Sequence, residues 1–160
     1  MNAIDLLVKQ HRTMEEALRK VLDAPEAARR KAFEGYADVL ISHVLVEERY
    51  FYPAVKVRRT EDILLESLEE HLSLKRLVAD LLHLESTDEH FEPKLHVLKE
   101  QCEHHHKEEE ENLFPKVRKL LEADDLQVLG ERMTMAQTEL LLGEPRMMAT
   151  SQTASAAELR

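Results

Sequence analysis

Two copies of one short pattern dominate this chain. His43-Val-Leu-Val-Glu47-Glu48-Arg-Tyr-Phe-Tyr-Pro53 returns 62 residues later as His105-His-Lys-Glu-Glu109-Glu110-Glu-Asn-Leu-Phe-Pro115. In both, a His precedes a Glu by four positions, a second Glu follows, and an aromatic-Pro pair closes the stretch. Residues four apart lie one above the other on an α-helix, so each copy aims an imidazole and a carboxylate at one point. With only 3 Gly and 5 Pro in 160 residues, and Leu, Glu, Lys, Arg and Ala abundant, helix is the state this chain favours.

The apolar spacing places five helices. The first spans about 2 to 23, with Ile4, Leu7, Val8, His11, Met14, Leu18 and Val21 at three-and-four spacing, so His11 lies inside an apolar stripe. Asp23-Ala-Pro25 ends it, and a second helix runs from about Glu26 to the Pro53 region with Phe33, Tyr36, Leu40, His43, Glu47 and Phe51 on one side. Thr60 with Glu61 and Asp62 marks a third start, carrying acids at the positive end of the helix. That helix, about 61 to 85, stripes as Leu64, Leu68, His71, Leu74, Val78 and Leu81. Ser86 to Glu89 and Pro93 open a fourth, with Leu95, Leu98, Cys102, the His104 to His106 run, Glu109 and Leu113. A fifth begins near Asp124 and stops at Gly143-Glu-Pro145, and a tail from 143 to 160 lacks a strong period.

Helical phase leaves the histidine run ambiguous. His104 faces away from the stripe, while His105 and His106 flank it on opposite sides. The internal repeat favours His105, which alone reproduces the four-residue step to Glu109, and His106 is the fallback. The repeat also extends backwards: His11 precedes His43 by 32 residues and His71 precedes His105 by 34. Two similar helical hairpins make a four-helix bundle, with four His and two Glu in its centre. An unpartnered carboxylate there costs on the order of several kcal/mol, and a cation removes that cost. Imidazole with carboxylate suits a pair of iron ions or another first-row metal, whereas zinc alone settles for four ligands.

Composition narrows the function classes. One cysteine, Cys102, excludes an internal disulfide framework and a cysteine-cluster metal site. A formal net charge of -10 argues against a nucleic-acid partner, which requires clustered positive charge. No run of 18 apolar residues exists, and the first residues lack a signal-peptide pattern, so a cytoplasmic protein without a membrane partner is expected.

These residues resemble the hemerythrin-like, HHE cation-binding family. The match lies in His11, His43-x-x-x-Glu47, Glu70-His71 and His105-x-x-x-Glu109, and it covers about residues 1 to 142. The resemblance implies an all-α, up-down four-helix bundle with an additional C-terminal helix, holding a non-haem pair of iron ions bridged by oxide or hydroxide. It further implies that His11, His43, His71 and His105 are terminal ligands and that Glu47 and Glu109 bridge the metals. One departure matters: oxygen-carrying members have a further His one turn after the third-helix His, and here Lys75 stands there. Two octahedral ions have twelve positions; four His, two bridging carboxylates and a bridging oxide leave two open. Members with this four-His, two-Glu set are associated with peroxide, nitric oxide damage or iron supply.

The expected function is therefore binding of, or reaction with, a small diatomic or peroxide ligand. Catalase-like dismutation of peroxide is one alternative, and a sensor or iron-delivery module acting through a protein partner is another. Glu48 and Glu110 are candidates to orient ligands, and His83, His90, His96 and His104 are read as surface residues; Cys102, one turn before His105, is read as a small buried thiol near the pocket, and Tyr36, Tyr50 and Tyr52 mostly as packing, with one of them able to reach an open iron position.

Overall fold

Asn2 starts the first helix. Its side chain accepts the Asp5 N–H at 2.8 Å, satisfying one of the donors that every helix leaves free at its start. In the computed structural model, which describes residues 1–160, α1 (Ala3–Asp23) follows and buries Ile4, Leu7, His11, Met14, Leu18 and Val21. Ala24 turns extended because it precedes Pro25, and α2 (Glu26–Val46) returns alongside α1.

Near its end α2 is buried all round, from Leu40 to Glu47. A helix apolar on every side must be covered on every side, and the later helix that crosses it provides the cover. The chain then winds through a π turn (Glu47–Phe51) and a short α segment (Tyr52–Val55). The second copy does the same: α4 (Phe91–Glu108) leads into a π turn (Glu109–Leu113) and a segment Phe114–Leu120. Prolines explain both turns. Pro53 and Pro115 have no N–H to donate, and their rings would collide with the carbonyl four residues back in a regular helix. Widening by one residue gives instead a bond from the Tyr52 N–H to Glu47 and from the Phe114 N–H to Glu109.

Between the two copies runs α3 (Glu61–His83), preceded by Thr60. The hydroxyl of Thr60 does not cap the helix as its sequence position suggests; it accepts the Val57 N–H at 3.0 Å and donates to the Val55 carbonyl at 2.9 Å, tying the preceding turn. Arg30 of α2 donates to the carbonyls of Leu82 and Leu84 at 2.6 and 2.7 Å, which satisfies the open end of α3 and joins the two hairpins.

The fifth helix, α5 (Ala123–Leu141), packs across α1 and α2. It comes so close at Gly130 that a Cβ there would lie 2.2 Å from the Met1 carbonyl oxygen. A short α6 (Met147–Ser151) follows, with Ala149 buried and the Thr153 carbonyl accepting the Arg76 Nε–H at 2.9 Å. The result is the all-α bundle with an added C-terminal helix. Its apolar interior falls into two clusters, one around Leu40, Leu74 and Leu98 and one around Leu7, Leu68 and Leu129. No helix is long and apolar enough to cross a membrane.

Candidate metal centre

The buried polar side chains that share the interior with those two apolar clusters include His11, His43, Glu47, His71, His105 and Glu109, each no more than 1% exposed. The structure brings them together. His11, His43, Glu47 and Glu109 offer donor atoms that all lie within 4.8 Å of one another, and so do Glu47, His71 and His105. Between the groups run distances of 3.2 Å from His11 Nε2 to Glu109 Oε1, 3.1 Å from His43 Nε2 to Glu47 Oε1 and 3.3 Å from His71 Nε2 to Glu47 Oε1.

The outer ring nitrogens are held by a second layer. Glu110 faces His11 Nδ1 at 2.7 Å, Gln10 faces His43 Nδ1 at 2.7 Å, Glu48 faces His71 Nδ1 at 2.9 Å and Glu70 faces His105 Nδ1 at 2.9 Å. All four partners accept through oxygen, so each Nδ1 carries the proton and each Nε2 turns a lone pair inward. The layer obeys the same repeat as the ligands: Gln10 and Glu70 each precede a core His, and Glu48 and Glu110 each follow a core Glu. Lys75 is buried and donates to Glu48 Oε1 at 2.8 Å, so it orients a second-layer group and does not neutralise Glu47 or Glu109.

Two residues break the repeat, and both reach the centre. His106 occupies the place of Val44 in the second copy. The choice between His105 and His106 dissolves in the fold, because the flanks of the α4 stripe are both covered: His105 is 1% and His106 4% exposed. His106 stacks on His11 with ring centroids 3.9 Å apart and forms a third group of close donors with His11 and His43. Tyr52 occupies the place of Phe114. Its hydroxyl donates to Glu109 Oε2 at 2.7 Å and lies 3.2 Å from His71 Nε2, while Phe114 stacks on His11 with no polar atom. His106 thus joins the His11 and His43 side, and Tyr52 joins the His71 and His105 side.

Electrostatics describe a cluster without its counter-charge. Burial, then the carboxylate of Glu109, pushes Glu47 well above its ordinary range. Burial pulls His43 well below, assisted by His11, and it does the same to His106. At His105 burial acts downward but is outweighed by Glu109 and Glu70, which raise it. Six buried atoms here have no hydrogen-bond partner: the Nε2 of His11, His43 and His106, both oxygens of Glu47, and Oε1 of Glu109. Buried polar atoms are normally paired, and lone pairs converging this way are tolerable around cations. His71 Nε2 and His105 Nε2 approach to 3.0 Å, which a shared positive charge explains. Imidazole and carboxylate are donors for first-row metals, so the set fits such ions.

The sequence matches the model of the hemerythrin HHE cation-binding domain over residues 2–141. The chain belongs to the hemerythrin HHE family. A crystal structure of a hemerythrin HHE cation-binding domain-containing protein from Mycobacterium kansasii superposes on it with a TM-score of 0.80. The two chains are 22% identical, and the match covers 95% of this one and 99% of that one, a likeness that establishes the fold. No protein of curated function matches the sequence. Within this HHE chain His104, His90 and His96 lie outside the centre, at 65%, 69% and 55% side-chain exposure. Cys102 is buried against Tyr36, Sγ to hydroxyl 3.4 Å, and burial raises its thiol to about 12, so no reactive thiolate faces the centre.

Proposed function

We propose that this HHE protein holds two non-haem iron ions and binds or reacts with small oxygen or nitrogen species: O2, peroxide or nitric oxide. The observation that carries the proposal is the set of six buried, unpaired donor atoms turned toward one another. In this reading His11 and His43 would hold one ion and His71 and His105 the other, with Glu47 and Glu109 available to be shared between them. Bound iron supplies two accessible oxidation states and exchangeable coordination positions. The protein supplies the rest: Glu110, Gln10, Glu48 and Glu70 fix the rings, and the apolar clusters on either side limit water.

Peroxide dismutation, two H2O2 giving two H2O and one O2, is favoured among the reactions by one feature. Tyr52 holds a proton on a hydroxyl directed at Glu109, and burial, then Glu109 itself, raises its pKa well above the ordinary value. The raised value keeps the phenol protonated, and a departing hydroxide, more basic than the phenolate, is the acceptor that could take that proton.

Metal analysis with an optical spectrum, followed by exposure to O2, peroxide and nitric oxide, tests both statements. We expect about two iron ions per chain, a Glu109→Ala variant that retains less than half of them, and a His104→Ala variant that retains all. Equal losses in the two variants would place the metal elsewhere. Bleaching by a few equivalents of peroxide, with no O2 evolved, would remove dismutation and leave ligand binding.

A further inference from the structure

His106 differs from the other four core histidines in three respects. No hydrogen-bond acceptor holds its ring, whereas His11, His43, His71 and His105 are each anchored at Nδ1. Its donor atom groups with His11 and His43 but not with the two carboxylates, so it stands at the margin of the cluster. It also lines a crevice of about 40 Å³ walled on its inner side by the buried Met14, Leu18, Tyr36 and Cys102 and bordered toward the surface by Glu15, Lys99 and Glu103. A single water needs roughly 10–15 Å³ on the same measure, so this space exceeds what one solvent molecule fills.

We propose that His106 is an exchangeable donor, which completes the His11 and His43 side when no substrate is present and withdraws toward the Leu18 crevice to admit a small ligand. The inference rests on the metal reading and adds the means by which a crowded centre opens. An octahedral ion held by His11 and His43 would have all six positions taken once His106 joins Glu47, Glu109 and a bridging oxygen. For an incoming molecule to reach that ion, one donor would have to yield. Four rings are braced from behind and Tyr52 is tied to Glu109, which leaves His106 as the group with the least to lose and with space to enter. Its partner in the repeat is Val44, so the two hairpins do not require a donor at this position to fold alike.

Three measurements bear on it. In the metal-free protein, imidazole nitrogen NMR should show His11, His43, His71 and His105 fixed with the proton on Nδ1 and slow exchange, and His106 in rapid exchange. A His106 signal as fixed as the others would overturn the proposal. In the iron-loaded protein the probe is azide. A ring that occupies the position nine-tenths of the time weakens an incoming ligand about tenfold, so His106→Ala should keep its iron and bind azide about tenfold more tightly than wild type. Leu18→Phe, which fills the crevice without touching a donor, should keep its iron and bind azide more weakly. Loss of iron from His106→Ala, or azide affinity unchanged in both variants, would overturn the exchangeable role. A wild-type chain that takes up no iron would instead overturn the metal reading itself.

Discussion

Glu47 shows what one residue contributes to the centre and what it costs without metal. Its carboxyl is fully buried with both oxygens unpaired, and burial together with Glu109 raises its folded-state pKa well above the ordinary 4.5. A group whose folded value is raised contributes stability that is present below the unfolded value and lost as pH rises through the folded one. The metal-free protein should therefore lose stability through Glu47 as pH rises from about 4.5. His43 and His106 act in the opposite sense. Their folded values are depressed, so their contribution is lost as pH falls from about 6.5. A Glu47→Gln substitution keeps the shape and removes the titration. Metal-free Glu47→Gln should unfold at higher temperature than metal-free wild type at pH 8, with a smaller difference at pH 5, and it should bind less iron. Calorimetry at the two pH values checks this; equal midpoints at pH 8 would mean that the carboxylate is paired in solution.

The π turns are the elements that make the centre larger than its sequence pattern. The paired His-x-x-x-Glu step was legible because it follows regular helical geometry, and so were His11 and His71, which sit in unbroken apolar stripes. Tyr52 was not. It lies five residues after Glu47, a separation that turns away from the Glu on a regular helix, and only the widened turn places it one turn above. The aromatic-Pro pair after each Glu was visible, but the physical link from Pro53 to the widened turn was the missing step. His106 was legible only as an alternative to His105, for a different reason: both flanks of the α4 stripe are enclosed, and phase alone does not say how much of a helix its neighbours cover. The comparison of His106 with Val44, and of Tyr52 with Phe114, was the signal available in the sequence. Deleting Arg49, an exposed residue inside the first π turn, should return the segment to regular helical phase, which keeps Tyr52 above Glu47 but sets the Pro53 ring against the carbonyl four residues back. We expect helical content unchanged by circular dichroism and iron content reduced, because Pro53 then clashes where the turn had made room. Full iron retention would show that the turn is incidental to the site.

At the scale of the whole molecule, the centre joins two hairpins that otherwise meet mainly through apolar contact. His11 and His43 belong to the first hairpin, His71 and His105 to the second, and Glu47 and Glu109 come one from each. Without metal, Glu47 and the depressed histidines oppose folding exactly where the halves must close. On the proposed metal reading, bound ions would turn those same groups into links between the halves. Ions that bind the folded chain alone stabilise it by mass action, about 2.7 kcal/mol at a free concentration of one hundred times Kd. For a chain of this size each kcal/mol moves the midpoint by roughly 2–4 °C, so the iron-loaded protein should melt at least about 5 °C above the chelated one. The increment should vanish in Glu109→Ala, whose second hairpin has lost its buried central carboxylate, and persist in His104→Ala, whose ring lies outside the centre. Differential scanning calorimetry under anaerobic conditions, with ferrous iron added and then removed by a chelator, measures it. Identical midpoints for loaded and chelated wild type would mean that the two hairpins are held by their apolar clusters and need no ion to close.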